Sequence, residues 1–254
     1  MCIIVCVKQV KKISNSYIND SEFFNNPFDI TALSWAMKLK EQHGFMVVTI
    51  SMGPLVAVPL VRQLFSYGAD RALLLTSPNL SGSDTYATSY AAGIMIKTLF
   101  PEYSLIICGE KSLDGETGQV PHSLATELDI NSFPNVSNIS YHNEKFEIIC
   151  EMDSTKVRLT SEDKLLITAT KRPEGYVCLP AIKNIISSKS KTVEIITCGN
   201  LTLSPESIGQ KGSYTKVVSL HHKKPVSQRN TYKIYFNEEQ KMGLLMDELF
   251  WDKA

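Results

Sequence analysis

Ile106-Ile-Cys-Gly-Glu-Lys-Ser-Leu-Asp-Gly-Glu-Thr-Gly-Gln-Val120 carries an apolar strand, Leu105 to Cys108, into a loop with glycines at 109, 115 and 118, and on into the helical pattern of Ser123 to Leu128. Glycines let backbone N–H groups turn outward and approach a ligand closely. The helix start that follows adds unpaired donors and a positive dipole end, which suits a phosphate or pyrophosphate. Asp114, Thr117 and Gln119 add side-chain oxygens and an amide at the same place. Ordinary strand–loop–helix connections carry such residues too, and the loop is neither a Walker loop nor a GxGxxG, so the residues alone leave both readings open.

Working outward, strand and helix patterns alternate over the first 130 residues. Strand patterns run from Cys2 to Val7, Phe45 to Ser51, Ala72 to Leu75 and Leu105 to Cys108. Pro27 opens a helix at its favoured first position, with Asn26 as candidate cap, and Gly44 ends it. A second helix spans about Leu55 to Ser66, Ser83-Asp84 opens a third, and a fourth follows the glycine loop. Such alternation predicts βαβ units: a doubly wound, mainly parallel, Rossmann-like α/β sheet whose ligands sit at the carboxyl ends of the strands. Asn26 to Asp29, Ser51 to Pro54, Ser83 to Thr88 and Asp114 to Gln119 all fall at those ends. From about Pro134, four strand patterns (Val136–Tyr141, Phe146–Met152, Lys156–Leu159, Leu165–Ala169) predict added antiparallel members. After Lys171 the chain is punctuated by proline and lysine, as in a segment lying along another surface. A last apolar helical pattern, Asn237 to Leu249, completes the expected division: 1–190 an α/β nucleotide domain, 191–254 an extended C-terminal arm and helix.

With 43% hydrophobic residues among 254, and 26 basic residues against 26 acidic, a sizeable core is expected and no general attraction to nucleic acid. No apolar run approaches the roughly 20 residues of a membrane span, and the first residues lack a signal pattern, so the cytoplasm is the expected compartment. The six cysteines contain no CxxC pair and read as small buried hydrophobes in a reducing compartment; no metal site is expected.

Several segments, in order, resemble the β subunit of electron-transfer flavoproteins. They are the opening strand Ile3-Ile-Val-Cys-Val-Lys-Gln9, the helix start Asn26-Pro-Phe-Asp29, Ser51-Met-Gly-Pro54 and the Asp114 to Gln119 loop. Tyr67-Gly-Ala-Asp-Arg71 and Tyr176-Val-Cys-Leu-Pro180 also look like family signatures, so the likeness covers roughly residues 1 to 225. In that family an α subunit holds the flavin that passes electrons to partners, and the β subunit holds an adenine nucleotide. Ordinary members bind AMP there; a second group binds FAD and bifurcates the electrons of NADH along two routes. Asp114-Gly-Glu-Thr-Gly-Gln119, Ser83-Asp-Thr-Tyr-Ala-Thr-Ser89 and Leu203-Ser-Pro-Glu-Ser-Ile-Gly209 are similar to the bifurcating group.

The resemblance implies a cofactor site residue by residue. Cys6, Lys8, Asn26, Pro27, Phe28 and Asp29 frame the adenosine half, while Met52 and Gly53 lie against the ligand. Thr85 and Thr88, three apart on one helical face, reach a phosphate. Ser112, Leu113, Asp114, Gly115, Glu116, Thr117, Gly118, Gln119 and Val120 form the pyrophosphate loop. The implied cofactor is FAD, with AMP the alternative; no catalytic acid, base or nucleophile set stands out. Implied partners are the α subunit, a flavin-dependent dehydrogenase of acyl-CoA or hydroxy-acid type docking on Leu179, and ferredoxin or flavodoxin if electrons are bifurcated. Two departures stand out: Asp153-Ser-Thr155 replaces an acidic-Gly-Gly run, and Lys164 a proline. The insertion between strand one and Asn26 is also short. An adenine-nucleotide hydrolase or ligase of related fold typically carries Ser-Gly-Gly-x-Asp-Ser after strand one, where this chain has Val7-Lys-Gln-Val-Lys-Lys12. A non-redox adenine-nucleotide-binding protein is the remaining alternative.

Overall fold

The computed structural model of the chain describes residues 1–13, 18–174, 176, 178–216 and 218. The chain divides into two units, Met1–Lys216 and Val217–Ala254, and the first is described here. The helix pattern expected at 237–249 lies outside the described residues.

Strand β1 (Cys2–Cys6) leads into a two-stranded antiparallel hairpin, β2 (Gln9–Ile13) and β3 (Ile18–Asn25). No strand pattern is legible here in the sequence, because Lys8, Lys11 and Lys12 interrupt the apolar alternation around Val10, which is buried in the fold. Helix α1 (Pro27–His43) starts and stops as expected, with Gly44 left-handed at φ 72°. Strand β4 (Met46–Met52) follows. The single helix expected at 55–66 is a 3₁₀ turn (Leu55–Ala57), α2 (Val58–Gln63) and a second 3₁₀ turn (Leu64–Tyr67). Pro59 removes one N–H from that run, which is one reason it is not continuous α-helix.

Strand β5 (Arg71–Leu75), α3 (Thr85–Leu99), β6 (Leu105–Gly109) and α4 (Gln119–Leu128) complete the alternating half. Then come β7 (Asn131–His142), β8 (Lys145–Met152), β9 (Thr155–Ser161) and β10 (Leu165–Ala169). The last described elements are α5 (Ile182–Ser188), β11 (Glu194–Ile196) and α6 (Gly209–Gly212).

Among the described residues, nine strands form one sheet in the order β11-β5-β4-β1-β6-β10-β7-β8-β9. Only the β7–β8 and β8–β9 pairings are antiparallel. β10 is not a further antiparallel member: it inserts between β6 and β7, parallel to both. Its residues Leu165-Leu-Ile-Thr-Ala169 are all buried, and an unbroken apolar run of this kind belongs to a parallel strand covered on both faces.

Two core layers sandwich the sheet. On one face Ile3, Val5 and Val47 pack with Leu33, Ala36 and Leu39 of α1 and Val61 of α2. On the other, Ile4, Val48 and Ile106 pack with Met95 and Ile96 of α3 and Leu124 of α4. The alternation of side chains along each strand sends odd residues of β1 to one layer and even residues to the other.

The proline-punctuated segment joins this body. Trp35 Nε1 donates to Lys171 O at 2.7 Å and Tyr176 Oη to Glu41 Oε1 at 2.8 Å, tying it to α1. Beyond residue 190, β11 pairs in parallel with β5 at the sheet edge, where Arg71 clasps both carboxylate oxygens of Glu194 at 2.7 and 2.6 Å. Such a two-pronged pairing fixes geometry as well as adding attraction.

Candidate functional site

The chain runs from β1 to β4 and β5 on one side, then crosses to β6 on the other, so the order reverses between β1 and β6. Open α/β sheets hold ligands at such a reversal, outside the carboxyl ends of the strands. A cleft of about 450 Å³ opens there. The ends of β1, β4 and β6 form its floor, and the starts of α1, α3 and α4 form its walls.

Local packing explains why the walls stand so close. A Cβ on Gly109, the last residue of β6, would collide with Asp29 Oδ1, and would lie 2.6 Å from Phe28 C and 2.8 Å from Asp29 N. Only glycine lets the start of α1 sit on this strand end. Asp29 is buried there, its Oδ2 accepting Lys8 N at 2.8 Å. Burial drives its pKa up to about 7, against the lowering effect of the hydrogen bonds from Lys8 and Gly109.

Asn26 was expected to cap α1, but its side chain makes no cap bond. Instead Nδ2 donates to Lys111 O at 2.8 Å, gripping the glycine loop. The residue is 1% exposed, lines the cleft, and its Oδ1 has no hydrogen-bond partner among the described residues. Buried acceptors are normally satisfied, so an orphan at a cleft wall calls for a donor from a ligand or water.

Within the loop, Glu116 N bonds Ser112 O at 2.9 Å and Gly115 N bonds Asp114 Oδ1 at 2.7 Å. Those two amides are therefore committed, whereas the N–H groups of Thr117 and Gly118 carry no hydrogen bond among the described residues. Gly118 is left-handed at φ 62° and starts α4 without a side-chain cap. An added Cβ would sit 3.0 Å from Glu110 O. These observations describe a cradle open to an anion.

Two lysines flank the cradle. Lys8 Nζ lies 2.7 Å from Asp114 Oδ1, and Lys111 Nζ lies 3.9 Å from Glu116 Oε1 and over the Phe28 ring at 5.7 Å. For Asp114 burial pushes the carboxyl up, but the Lys8 bond and its companions outweigh it and hold it below the ordinary value.

The structure brings together on the cleft lining Cys6, Lys8, Asn26, Asp29 and Met52, then Thr85 and Thr88, then Ser112, Gly115, Thr117, Gly118, Gln119 and Val120. Pro27, Phe28, Gly53, Leu113, Asp114 and Glu116 lie outside it. Pro27 starts α1, Gly53 N bonds Leu75 O at 3.1 Å, and Leu113 is exposed.

Val7, Cys108, Gly109 and Lys111 also line the cleft without having been singled out in the sequence, and Ser51, Ser83 and Asp84 join from segments expected at the strand ends. The available signal was position: Val7, Ser51, Cys108, Gly109 and Lys111 stand at or just beyond a strand end, and Ser83 and Asp84 open α3. All six cysteines are free; Cys6 and Cys198 are half-buried rather than buried. The Cys108 thiol is pushed well up by its hydrogen bond to Cys6 and by burial, which makes it a poor nucleophile. No group of metal-binding side chains and no helix long and apolar enough to cross a membrane occurs among the described residues. Leu179 is 68% exposed, in the loop before α5.

A family profile described as the electron transfer flavoprotein domain matches residues 17–198. The chain is 34% identical over 195 residues to the electron transfer flavoprotein subunit beta of Thermoanaerobacterium thermosaccharolyticum, covering 76% of this chain and 74% of that protein. It is 32% identical over 232 residues to the subunit of the same name from Megasphaera elsdenii, covering 85% and 86%. It is 29% identical over 231 residues to the acryloyl-CoA reductase electron transfer subunit gamma of Anaerotignum propionicum, covering 85% and 86%. With the cleft at the sheet's reversal, these likenesses lead to one conclusion: the chain belongs to the electron transfer flavoprotein β-subunit family.

Proposed function

We propose that this β subunit binds FAD in the cleft between β1 and β6 and serves flavin-based electron bifurcation in the cytoplasm. In this reading it pairs with an electron-transfer flavoprotein α subunit, on which the chain's C-terminal arm packs. The observation that carries the proposal is the pairing of the uncommitted Thr117 and Gly118 amides with the orphan Asn26 Oδ1 in one cleft. The amides supply donors to phosphate oxygens, and Asn26 supplies an acceptor to an amine or hydroxyl of the adenosine half. Held by the Thr117 and Gly118 amides and Asn26, FAD would supply the chemistry of electron exchange with NADH and with carrier proteins. The protein's part is orientation, exclusion of water and the local field. A low-potential carrier such as ferredoxin or flavodoxin and a flavin-dependent dehydrogenase are the partners this chemistry requires.

The αβ complex purified without added cofactor is expected to hold two FAD per αβ pair and to oxidise NADH. AMP in the β site even after incubation with excess FAD would make the protein a single-flavin carrier instead. Thr117→Val removes one hydroxyl at the cradle while keeping the volume. Loss of a hydrogen bond to a charged phosphate costs roughly 1.5–3 kcal/mol, about ten- to a hundredfold in affinity. The β-site FAD of the variant is expected to leave on dilution while the α-subunit flavin stays, and NADH oxidation to fall with it. Retention of both flavins by the variant would remove Thr117 from the site.

Leu179 is proposed as the apolar anchor for the partner dehydrogenase, since a leucine this exposed gains by burial in a partner's pocket. Leu179→Ala is expected to slow electron transfer to that partner by about tenfold or more at unchanged flavin content. Unchanged transfer, or loss of flavin, would end the docking role.

A further inference from the structure

Two thiols share the floor of the cleft. Cys6 ends β1, Cys108 lies on the neighbouring β6, and both line the cleft. The parallel register sets Ile4 beside Ile106 and Val5 beside Ile107, so the next step places Cys6 opposite Cys108. Opposed residues of parallel strands point to one face, and both cysteines pack in the core layer under α3 and α4. The Cys108 thiol hydrogen-bonds the Cys6 side chain. Cys6 is half-buried, whereas Cys108 is 4% exposed. The other cysteines stand elsewhere: Cys2 at the far end of β1, Cys150 and Cys178 in the opposite core layer, and Cys198 just after β11.

Neighbouring strands run about 4.8 Å apart, within the roughly 4.4–6.8 Å between Cα atoms that a disulfide spans. Its Cβ atoms lie about 3.8 Å apart, so bridging the pair draws the two strand ends together by about 1 Å. Those ends carry the site. Lys8 N, two residues past Cys6, donates to Asp29 Oδ2 at 2.8 Å. Gly109, the residue after Cys108, receives the start of α1 with no room for a Cβ. A shift at both ends therefore reaches Asp29 and Asn26 together.

We propose that Cys6 and Cys108 form a reversible oxidation site that closes to a disulfide when the cleft is empty, and that the closed form releases its hold on nucleotide. The loss of ligand rests on the nucleotide reading of the cleft; the bridge itself rests on the cysteines alone. The oxidant is hydrogen peroxide, small enough to enter. The Cys6 sulfur attacks one peroxide oxygen and the O–O bond breaks, leaving Cys6 as a sulfenic acid while the departing hydroxide takes the thiol proton as water. The Cys108 sulfur then attacks the Cys6 sulfur, the S–O bond breaks, and hydroxide leaves with the Cys108 proton as water. Two thiols and one peroxide give one disulfide and two waters, with two electrons passing to the peroxide. Cys108 is a poor nucleophile towards solutes, but its target is held beside it, and that proximity favours the second step. A ligand over the floor covers Cys6, so ligand and bridge exclude one another.

The test exposes the nucleotide-free αβ complex to hydrogen peroxide, alkylates the remaining thiols and maps disulfides by mass spectrometry without reduction. A peptide pair joining Cys6 to Cys108, reopened by dithiothreitol, is expected. AMP at tenfold its Kd leaves about one site in eleven open, so it is expected to slow bridging about tenfold. The bridged complex is expected to bind AMP at least about tenfold more weakly, as for one lost hydrogen bond to phosphate, and to recover on reduction. Cys6→Ser lacks the attacking thiol, and its AMP affinity is expected to be the same before and after peroxide. Oxidation confined to other cysteines, or halting at Cys6 with no bridge, would overturn the site. A bridge that leaves AMP affinity unchanged, or an equal peroxide effect in Cys6→Ser, would overturn its hold on the cleft. Failure of the reduced complex to bind AMP or FAD would overturn the nucleotide reading instead, on which the disulfide map does not depend.

Discussion

Gly109→Ala is expected to lower the melting temperature by about 6–12 °C. The new methyl group would stand 2.6 Å from Phe28 C and 2.8 Å from Asp29 N, and neither backbone atom can rotate away. The first turn of α1 must therefore back off the end of β6. Forcing a methyl into such a contact costs about 3 kcal/mol, and each kcal/mol is worth about 2–4 °C in a chain of this size. The shift would also carry Asn26 away from Lys111 O, so nucleotide affinity is expected to fall with stability. Gly115→Ala is the control, because its Cβ meets only Ser112 Oγ at 3.5 Å. It is expected to change the melting temperature by less than about 2 °C. Equal effects of the two substitutions would show that close approach at Gly109 is not what holds α1 in place.

Asp29 gives the second large effect, read through pH. Its carboxyl is raised from 3.8 to about 7, chiefly by burial. The folded chain therefore holds this proton more tightly than the unfolded chain between about pH 4 and pH 7. Stability from this residue is fully present below about pH 4, is lost as pH rises through 7, and is level above that. Three pKa units correspond to roughly 4 kcal/mol across the window. Asp29→Asn keeps an acceptor for Lys8 N and removes the titration. The variant freed of nucleotide is expected to lose this part of the slope between pH 5 and pH 8, when unfolding is followed at each pH. A slope identical to wild type would mean that Asp29 is already ionised in the folded state.

The halves of the chain differ in how far the sequence alone reveals them. Pro27 at a helix start, Gly44 at its end, and apolar runs at 45–51, 72–75 and 105–108 specify α1, β4, β5 and β6, because these signals act within a few residues. They predict the parallel sheet and, through the strand ends, the place of the cleft. Lys8, Asn26, Asp29, Thr85, Thr88, Ser112, Gly115 and 117–120 were legible as positions on one cleft lining because every segment follows a strand or opens a helix.

Tertiary contact decided the rest. The run Leu165–Ala169 reads as a strand from its own residues, but its seat between β6 and β7 depends on partners about 60 and 35 residues away, which no local pattern specifies. The β2–β3 hairpin was hidden because Lys8, Lys11 and Lys12 interrupt the apolar pattern around Val10, and its register is set by pairing between strands rather than by either strand alone. Asn26 looks like a cap in sequence; in the fold its Nδ2 is held by Lys111 O, and its Oδ1 makes no cap bond. Asp84 reads as an ordinary cap as well, and only the fold brings Ser213 and Thr215 onto it. Period and capping chemistry are carried by neighbours in the chain. The charge and hydrogen-bond balance of a site is set by groups that meet only after folding, and there the sequence by itself falls silent.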